Sequence, residues 1–398
     1  MSNSILVINS GSSSIKFSVF EDPQQDNPKI VGLAERLGTP EALLSWRVED
    51  QDKQSLAIAN ADHGATLKQL MLTLKEAGIQ PEQLNAVGHR VVHGGEKFAE
   101  SVVVTPDIFA QIEQCNHLAP LHNPANLLGI KTLMDLYPAI PQIAVFDTAF
   151  HQSLSAKQFL YAVPYELYQD HGVRRYGFHG TSHRYVVQKA AQQLNLPLED
   201  SAFISAHLGN GCSATAILNG KSVDTTMGMT PLEGLVMGTR SGDVDPSLHE
   251  FLANRLNLDL HQVTELLNKK SGLLGLSGLS NDMRTLSEAA ASGNQQAQLA
   301  IDVFCFRLAK SIAALTVSLG RLDALIFTGG IGENAFPIRA QVLNELTVLG
   351  FNLDPELNRN HGRSNHGLIT TSDSTKAVVV NTNEEWMIAQ DCQNLVPN

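Results

Sequence analysis

Hydrophobic and polar positions predict a hairpin at the start of the chain. Residues 5–8 are four consecutive apolar residues, enough for a buried strand, and residues 15–20 alternate between apolar and polar. The segment between them, residues 9–14, is polar and contains one glycine, which is typical of a tight turn. We therefore expect two strands joined by a serine-rich turn.

The same criteria predict further helices and strands. Residues 66–77 and 298–319 place apolar side chains on one helical face, and Gly78 and Gly320 follow them as C-terminal stop signals. Asn383 can cap a last helix that begins at Glu384. Shorter segments are predicted as helices at 108–118 and 125–137, and as strands at 86–92, 142–146, 323–327 and 377–380.

A repeat of the opening pattern occurs halfway along the chain. Residues 203–217 again form strand, small-residue turn and strand, like residues 5–20. Strands and helices alternate, and polar residues cluster after the strands, which is the α/β pattern with sites beyond strand ends. The repeat indicates two related α/β halves, each opening with a hairpin that could hold phosphate.

Two segments show less regular patterns. Residues 21–60 are polar and carry only weak strand signals. Residues 224–246 form a long connection with four glycines and are too apolar for a disordered segment. Long loops without secondary structure are usually functional when they are not disordered. We therefore expect this connection to contribute to a site.

Composition narrows the class of protein. A length of 398 residues favours two domains, and 43% hydrophobic with 17% charged residues is typical of a globular protein with an ample core. The net charge of −12 argues against nucleic-acid partners and against an anionic membrane. The four cysteines form no CxxC pair, the start lacks a basic signal-peptide region, and no apolar run approaches the ~20 residues of a membrane helix. We expect a cytoplasmic protein with reduced thiols.

Several polar residues are candidates for chemistry. The serine-rich turn exposes backbone N–H groups beside Lys16, which suits a phosphate group, although an ordinary hairpin turn has the same composition. Arg90 and Arg240 lie beside glycines and could bind a carboxylate or a phosphoryl group in a forked geometry, or form surface ion pairs. Asp147, at a strand end, could be a base, a metal-linked acid or a helix cap.

Other motifs have competing interpretations. His179 and His183 have the i, i+4 spacing of zinc ligands, but the glutamate of the HExxH motif is absent. Residues 330–335 fit the G-x-G-x-x-A pattern of a dinucleotide fold, which alone is a weak signal. The histidines in loops rich in glycine, asparagine and proline could be functional or could fix those loops by hydrogen bonds.

Nine stretches, taken together and in order, resemble the acetate kinases, a family that includes the closely similar propionate kinases. They are residues 9–16, 88–95, 122–124, 146–151, 176–183, 207–211, 230–246, 327–334 and 381–385. The likeness covers essentially the whole chain. It implies an α/β fold of two duplicated ribonuclease H-like, actin-like ATPase domains with a nucleotide cleft between them. The acyl-substrate and phosphate domain would be residues 1–150 plus 385–398, and the nucleotide-binding domain would be residues 151–384.

The resemblance also implies an activity. Such an enzyme transfers the γ-phosphoryl group of ATP directly and reversibly to acetate, giving acetyl phosphate and ADP. Propionate is an alternative acceptor, Mg2+ is required with Mn2+ as a possible substitute, and the protein is a homodimer. Two rival functions remain: a sugar kinase, whose hydroxyl acceptor would call for a positioned base, and a non-catalytic nucleotide-binding protein without an acyl acceptor.

The resemblance assigns roles to individual residues. The catalytic residues would be Asp147, His179 and Arg240. The acyl substrate would be bound by Arg90 and His122, and the metal ion by Asn9 and Glu384. The phosphate and nucleotide contacts would be Ser12, Ser14, Lys16, His207, Leu208, Gly209, Asn210, Gly211, Asp282, Met283, Arg284, Gly330, Ile331, Gly332, Glu333 and Asn334.

Two details qualify these roles. A carboxylate acceptor is already deprotonated at neutral pH, so we expect Asp147 to orient an arginine or metal-bound water rather than to take a proton.

Cys212, where relatives often have glycine, adds a side chain near the expected phosphate loop, and Ser280 and Asn281 also depart from the family pattern. Neither departure removes a functional group.

Overall fold

A computed structural model describes residues 4–396, which form two compact units. Unit 1 holds the described residues up to Phe150 together with those from Asn383 onward, and unit 2 is His151–Thr382. The return to unit 1 therefore falls at residue 383, two residues before the position expected from sequence.

Thirteen strands and fifteen α-helices make up the described part of the chain. The strands are β1 (Ile5–Ser10), β2 (Ser14–Phe20), β3 (Ile30–Glu35), β4 (Leu43–Val48), β5 (Gln54–Ala57), β6 (Ala86–Val91), β7 (Val102–Val103), β8 (Gln142–Phe146), β9 (Ala202–Leu208), β10 (Cys212–Leu218), β11 (Lys221–Thr225), β12 (Ala324–Thr328) and β13 (Lys376–Val379). The helices are α1 (His63–Glu76), α2 (Pro106–Gln114), α3 (Asn123–Leu136), α4 (Ala156–Phe159), α5 (Tyr165–His171), α6 (Gly180–Gln193), α7 (Leu248–Leu256), α8 (Leu260–Lys269), α9 (Gly272–Ser277), α10 (Met283–Ala291), α11 (Gln295–Leu315), α12 (Gly329–Asn334), α13 (Phe336–Glu345), α14 (Pro355–Arg359) and α15 (Glu384–Leu395).

Each unit is built on one sheet, and the two sheets share a topology. The sheet of unit 1 has the order β5-β4-β3-β2-β1-β6-β8-β7, and that of unit 2 has the order β11-β10-β9-β12-β13. In unit 1, β1, β2 and β3 are antiparallel neighbours, and β6 and β8 run parallel to β1 on its other side. In unit 2, β9, β10 and β11 are antiparallel neighbours, and β12 and β13 run parallel to β9 on its other side. This repeated 3-2-1-4-5 order is that of the ribonuclease H-like fold, so the predicted duplicated, actin-like fold class is confirmed.

The two predicted hairpins are present. β1 pairs with β2 from Ile5 opposite Phe20 to Ser10 opposite Ile15, and β9 pairs with β10 in the same way. The turn of the first hairpin is closed by the Gly11 amide, which donates to the Ser14 carbonyl over 2.8 Å. The weak strand signals of residues 21–60 correspond to β3, β4 and β5, which widen the sheet of unit 1.

Helices cover both faces of the sheet in unit 1. The face formed by Leu6, Ile8 and Phe17 belongs to a buried cluster that includes residues of α1 and α3. The opposite face, with Ile5 and Val7, packs against α15. Side chains alternate between faces along a strand, so an apolar run such as residues 5–8 supplies both cores. The C-terminal helix therefore completes the N-terminal unit.

Several boundaries differ from the sequence predictions. α11 runs from Gln295 to Leu315 and is followed by a 3-10 turn before Gly320. Residues 329–334 form the short helix α12 directly after β12, a helix for which no prediction was made. α6 begins at Gly180, within the glycine-rich segment that follows residue 171. The residue before it, His179, has a left-handed backbone conformation (φ 57°). The long connection is confirmed, since residues 226–247 hold no helix or strand.

Among residues 4–396, none of the helices has both the length and the apolar composition needed to cross a bilayer.

Candidate active site

A buried carboxylate and an arginine form the centre of the site in unit 1. Arg90, at the end of β6, donates from Nε to Asp147 Oδ1 over 2.9 Å and from Nη2 to Asp147 Oδ2 over 2.5 Å. Its Nη1 donates to Asn9 Oδ1 over 3.3 Å. Asp147 follows β8, the strand beside β6, and its side chain is 1% exposed. The parallel strands β1, β6 and β8 thus bring three sequence-predicted residues together at one edge of the sheet.

The hydrogen bonds of Arg90 leave part of the guanidinium available. Three of its five N–H groups have acceptors, two on Asp147 and one on Asn9, so one N–H on each terminal nitrogen has no acceptor among the described residues. Burial alone would lower the pKa of Arg90, but the charge and hydrogen bonds of Asp147, together with the charges of Glu384 and Glu385, outweigh burial and raise this pKa. Arg90 is therefore a fixed cation with a two-pronged edge that fits a carboxylate.

The first turn of α15 adds acidic groups to the same place. The Glu384 side chain lies within electrostatic reach of Arg90 and Asp147, and burial raises the pKa of Glu384 to about 7, with Arg90 opposing the shift and Asp147 and Glu385 adding to it. Lys16 forms an ion pair with Glu385. The sequence missed this pair, because nothing in the local pattern around either residue indicates that the C-terminal helix returns to β2.

The groups around Asn9 and Glu384 fit a magnesium ion. Both side chains offer oxygen, and burial near other carboxylates disfavours the ionised form of Glu384 unless a cation is present. In the described residues, no group of three or more His, Cys, Asp or Glu side chains could hold a metal. Mg2+ commonly uses one or two carboxylates, with water and substrate phosphates as its other ligands.

The other predicted residues of unit 1 lie at the β1–β2 connection and before α3. Ser12 and Ser14 belong to the β1–β2 turn, whose Gly11 carbonyl is 2.7 Å from His63 Nε2. His122 precedes α3 and its carbonyl accepts from the amides of the first helical turn. Ser12 and His122 thus lie on loops, and Ser14 is the first residue of β2.

Two asparagines missed by the sequence analysis hold the loop after β6. Asn126 Oδ1 accepts from the Val92 amide over 3.1 Å, and its Nδ2 donates to the Ser10 carbonyl over 2.7 Å. Asn123 makes a two-way contact with the main chain of His93, of 3.1 Å and 2.9 Å. Both side chains are buried. Asn123 lies in the His-Asn-Pro segment at the start of α3. The signal available in the sequence was a polar residue directly before a proline at a helix start.

In unit 2, His179 and Arg240 flank one glycine. A Cβ on Gly211 would lie 3.3 Å from Arg240 Nη1 and 3.4 Å from His179 Nε2. Arg240 has no carboxylate within ion-pair distance in the described chain, and its Nη1 donates to the Pro231 carbonyl over 3.4 Å and to Met237 Sδ over 3.8 Å. Burial lowers the pKa of Arg240, with Cys212 opposing the shift. The guanidinium of Arg240 therefore lies beside Gly211, where no side chain separates its charge from the main chain.

The histidines of unit 2 are held by buried hydroxyl groups. Ser213 Oγ lies 2.9 Å from His179 Nδ1 and 2.7 Å from His183 Nε2, and Ser182 Oγ lies 2.8 Å from His207 Nδ1. The rings of His179 and His207 have centroids 4.4 Å apart. These serine contacts give the i, i+4 pair His179 and His183 a hydrogen-bonding role in which both rings bind one hydroxyl.

A cavity of about 460 Å³ lies in unit 2 beside the Gly211 loop. Eight of the predicted nucleotide residues line it: Gly209, Asn210, Asp282, Met283, Arg284, Gly330, Ile331 and Asn334. Five lining residues were not predicted: Asn281, Ser287, Ala335, Phe336 and Pro337. The cavity thus joins the β9–β10 loop, the start of α10 and the helices α12 and α13.

Other predicted nucleotide residues do not line this cavity. His207 and Gly211 lie with His179, and Leu208 is fully buried. Gly332 is buried in α12. Glu333 Oε1 accepts from the amides of Gly329 and Thr382, both at 3.0 Å. Glu333 thus links α12 to the segment that follows β13.

The two departures from the family pattern are both accommodated. Cys212 begins β10, is fully buried, and its thiol donates to the Gly209 carbonyl over 3.2 Å. Burial raises the pKa of Cys212 to about 12. Asn281 Nδ2 donates to Asn210 Oδ1 over 3.0 Å, so it ties the start of α10 to the β9–β10 loop. Each residue therefore supports the loop that it adjoins.

The long connection is anchored from one side by an ion pair. Arg175 Nη2 donates to Glu233 Oε1 over 2.5 Å, and its Nη1 donates to the carbonyls of Thr225, Thr226 and Met227. Tyr161 also donates to Glu233, and burial together with this carboxylate raises the tyrosine pKa. These contacts order the stretch that carries Arg240.

The duplicated topology and the cavity walled by glycine-containing loops define the class of actin-like kinases and ATPases. Within that class, the chain belongs to the Acetokinase family, whose profile it matches over residues 4–390. The predicted resemblance is therefore confirmed.

Individual relatives agree with this membership. The chain is 56% identical to the acetate kinase of Ectopseudomonas mendocina (strain ymp) over 97% of both chains, and 51% identical to the acetate kinase of Shewanella sp. (strain MR-4) over 100% of both. Among solved structures, the propionate kinase from Francisella tularensis has a TM-score of 0.94 at 45% identity, covering 99% of this chain and 100% of that one. The acetate kinase of Porphyromonas gingivalis has a TM-score of 0.92 at 42% identity, covering 99% of each.

Proposed function

We propose that this protein is an acetate kinase that transfers the γ-phosphoryl group of ATP directly to acetate, reversibly, giving acetyl phosphate and ADP. The observation that carries the proposal is the fixed guanidinium of Arg90, with two donors left over, in a chain of this family. A planar fork of two N–H groups is the complement of a carboxylate. Propionate, one methylene longer, is the alternative acceptor.

The chemistry follows from charge. An acetate oxygen must attack a phosphorus atom that is surrounded by anionic oxygens, so the protein must offset repulsion and hold the acceptor in line. Arg90 orients the acetate. Asp147 uses both carboxylate oxygens to hold Arg90, which supports an orienting role. Acetate needs no general base, because it is ionised at neutral pH.

Unit 2 supplies the phosphoryl donor in this proposal. The cavity of about 460 Å³ takes the nucleotide, and the loop that includes Gly211 leads to its phosphates. Arg240 and His179 then offset the charge that develops on the transferred group. Lys16, Ser12 and Ser14 serve the phosphates from unit 1, and His122 adjoins the acyl substrate.

The metal ion has a defined place in the proposal. Asn9 and Glu384 would hold Mg2+, with Mn2+ as a substitute, through their side-chain oxygens. When bound, the ion neutralises phosphate charge. We also place the enzyme in the cytoplasm as a homodimer, a state that sedimentation at twice the 43.1 kDa chain mass would reveal.

Hydroxylamine trapping of acyl phosphate tests the reaction. With Mg-ATP and acetate, propionate or butyrate in parallel, we expect hydroxamate, most rapidly from acetate. Arg90→Ala should raise the KM for acetate roughly tenfold to a hundredfold, as loss of a charge-assisted forked contact requires, while the KM for ATP stays within about twofold. Arg240→Ala should lower turnover by about a thousandfold or more.

Arg47→Ala is the matched control, because Arg47 is an exposed arginine on β4 of the same sheet and should leave all three constants unchanged. ADP release stimulated by a hexose, without hydroxamate, would make the protein a sugar kinase. Slow hydrolysis that ignores every acceptor and survives Arg90→Ala would make it a nucleotide-binding ATPase.

A further inference from the structure

The Ser213 hydroxyl lies between two imidazole rings, and only one of them has a proposed role. Ser213 Oγ is 2.9 Å from His179 Nδ1 and 2.7 Å from His183 Nε2. On its far side, His183 Nδ1 is 3.0 Å from Ser205 Oγ. Ser205, Ser213 and His183 are all fully buried. A hydrogen-bonded chain therefore runs from His179 through Ser213 and His183 to Ser205.

His183 is a neutral ring in this chain. Burial lowers its pKa well below the ordinary 6.5, and the neighbouring His151 and His207 lower it further. A neutral imidazole has one nitrogen that donates and one that accepts. Each nitrogen of His183 faces a serine hydroxyl, and a hydroxyl can take either role, so both tautomers can be fully hydrogen-bonded.

The single proton of Ser213 links the two histidines. If His183 donates from Nε2 to Ser213, the hydroxyl proton is free to bond His179 Nδ1 as an acceptor. If Nδ1 also donated, both rings would donate to Ser213 and the hydroxyl proton would have no acceptor on either ring. If His183 carries its proton on Nδ1 and donates to Ser205, Ser213 donates to His183 and accepts from His179 Nδ1–H. The second arrangement accommodates an imidazolium at His179, which takes one more proton from solvent, and still leaves the Ser213 proton an acceptor on His183.

We propose that His183 and Ser213 are positioning residues that set the protonation of His179, with the tautomer of His183 changing whenever His179 Nδ1 changes between acceptor and donor. The other His179 nitrogen, Nε2, faces Gly211 beside Arg240. The arrangement with Nδ1–H allows a cationic His179 to present Nε2–H to an anionic group there. The ring of His207 on β9 also faces His179, at 4.4 Å.

This inference rests on the proposed function only for its consequence in catalysis, because the coupling itself is a property of the hydrogen-bonded chain. Two readouts separate the two claims. The tautomers of ¹⁵N-labelled histidine rings, measured by NMR, report the coupling without any turnover. Hydroxamate formation reports the reaction.

The experiment titrates His179 in the full-length protein and follows the ring nitrogens of His183. In the unmodified protein, the His183 proton should move from Nε2 to Nδ1 as His179 becomes protonated. In Ser213→Ala, the His183 tautomer should no longer respond, and kcat should fall about tenfold, with the KM values for ATP and acetate within about twofold. A His183 response that persists in Ser213→Ala would overturn the proposal.

Ser222→Ala is the matched control, because Ser222 is a buried serine 2.8 Å from His151 Nδ1 and has no bond to His179 or His183. This variant should leave the tautomer change of His183 and the kcat as in the unmodified protein. If Ser222→Ala and Ser213→Ala lowered kcat equally, Ser213 would have only a packing role and the proposal would be wrong. If Ser213→Ala fails to fold, Ser205→Ala tests the chain from its other end. That variant should hold the His183 proton on Nε2 throughout the titration, and a tautomer that still switches would reject the coupling.

Discussion

At the scale of single residues, the buried polar side chains of the site in unit 1 are stabilised by hydrogen bonds and ion pairs with one another. Asp147 is almost completely buried, and a buried carboxylate needs a cation and hydrogen bonds. Arg90 supplies both through two nitrogens, and Asn9 takes a third N–H group. Glu384 is the exception, because its carboxylate forms no ion pair within 4 Å among the described residues, although the charges of Arg90 and Lys16 act on it. Its environment favours the protonated form, which makes its titration visible in the stability of the protein.

Glu384 should therefore make the protein less stable as the pH rises. Its pKa is 4.5 ordinarily and about 7 in the folded state, so between these values the folded state binds more protons than the unfolded state. The free energy of unfolding should fall across this window, on the order of 1–3 kcal/mol from this group alone. Urea denaturation with a chelator present, from pH 4.5 to 7, should show a smaller fall in Glu384→Gln.

The control for that comparison is Glu250→Gln, an exposed glutamate on α7, which should keep the full decline. An identical pH dependence in Glu384→Gln and the unmodified protein would show that Glu384 is not the group responsible.

At the scale of elements, the short helix α12 depends on an arginine that has no acidic partner among residues 4–396. Arg339, on α13, is completely buried. Its Nη1 donates to the carbonyls of Gly332 and Glu333 at the end of α12, and its Nε and Nη2 donate to Asn358. Burial lowers the pKa of Arg339 to about 10. A cation at a helix C-terminus satisfies carbonyls that have no partner within the helix.

Arg339→Met should consequently destabilise the protein and loosen the cavity wall. Arg339 has no solvent exposure, so the carbonyls that lose its N–H donors would be left buried without a hydrogen bond. We expect the free energy of unfolding to fall by about 3 kcal/mol. Because α12 supplies Gly330, Ile331 and Asn334 to the cavity, the KM for ATP should rise several-fold while the KM for acetate stays unchanged.

Urea denaturation and steady-state kinetics measure the two effects. Arg359→Met is the control, since Arg359 lies at the end of α14 in the same unit and is exposed. Equal changes in both KM values for Arg339→Met would indicate a general loss of folded protein instead of a local effect on α12.

At the scale of the whole molecule, the two units have one topology but different connectivity. Unit 2 is one continuous stretch, whereas unit 1 takes its last helix from the C-terminal end of the chain. α15 buries Ile388, Ala389 and Cys392 against β1, β6 and β8. A Cβ on Gly88 would lie 2.6 Å from Cys392 Sγ, so the helix packs directly on the strand. The stability of unit 1 thus depends on the final residues of the chain.

A chain truncated after Thr382 should lose protection in unit 1 specifically. Removing three buried apolar side chains from one face of the sheet costs several kcal/mol, about 2 for each large one. Hydrogen exchange at the amides of β1 and β6 should accelerate by at least a hundredfold, while β9 and β12 of unit 2 should change little. Ile388→Val should give a small acceleration in the same strands, and equal acceleration in both units would contradict the assignment.

The sequence by itself determined the elements whose signals are local. The hairpin at residues 5–20, its repeat at 203–217 and the cap of α15 follow from alternation, turn composition and a capping asparagine, all set by neighbours in the chain. The order of family motifs indicated the duplicated fold and most residues that line the cavity. Asp147 was singled out because it lies at a strand end and Arg90 because it lies beside glycines, whereas Asn9 was assigned by the family resemblance.

Which of these residues contact one another depends on how the strands and helices pack in three dimensions. The pairs Arg90–Asp147 and Lys16–Glu385, and the contacts of Ser213 with two histidines, join residues that are 30 or more positions apart in the chain. Hydrogen bonding depends on distance and direction, which strand order and helix packing set and which no local pattern contains. The same reason explains why Asn123, Asn126 and Arg339 were missed: their acceptors and donors are main-chain groups of other elements.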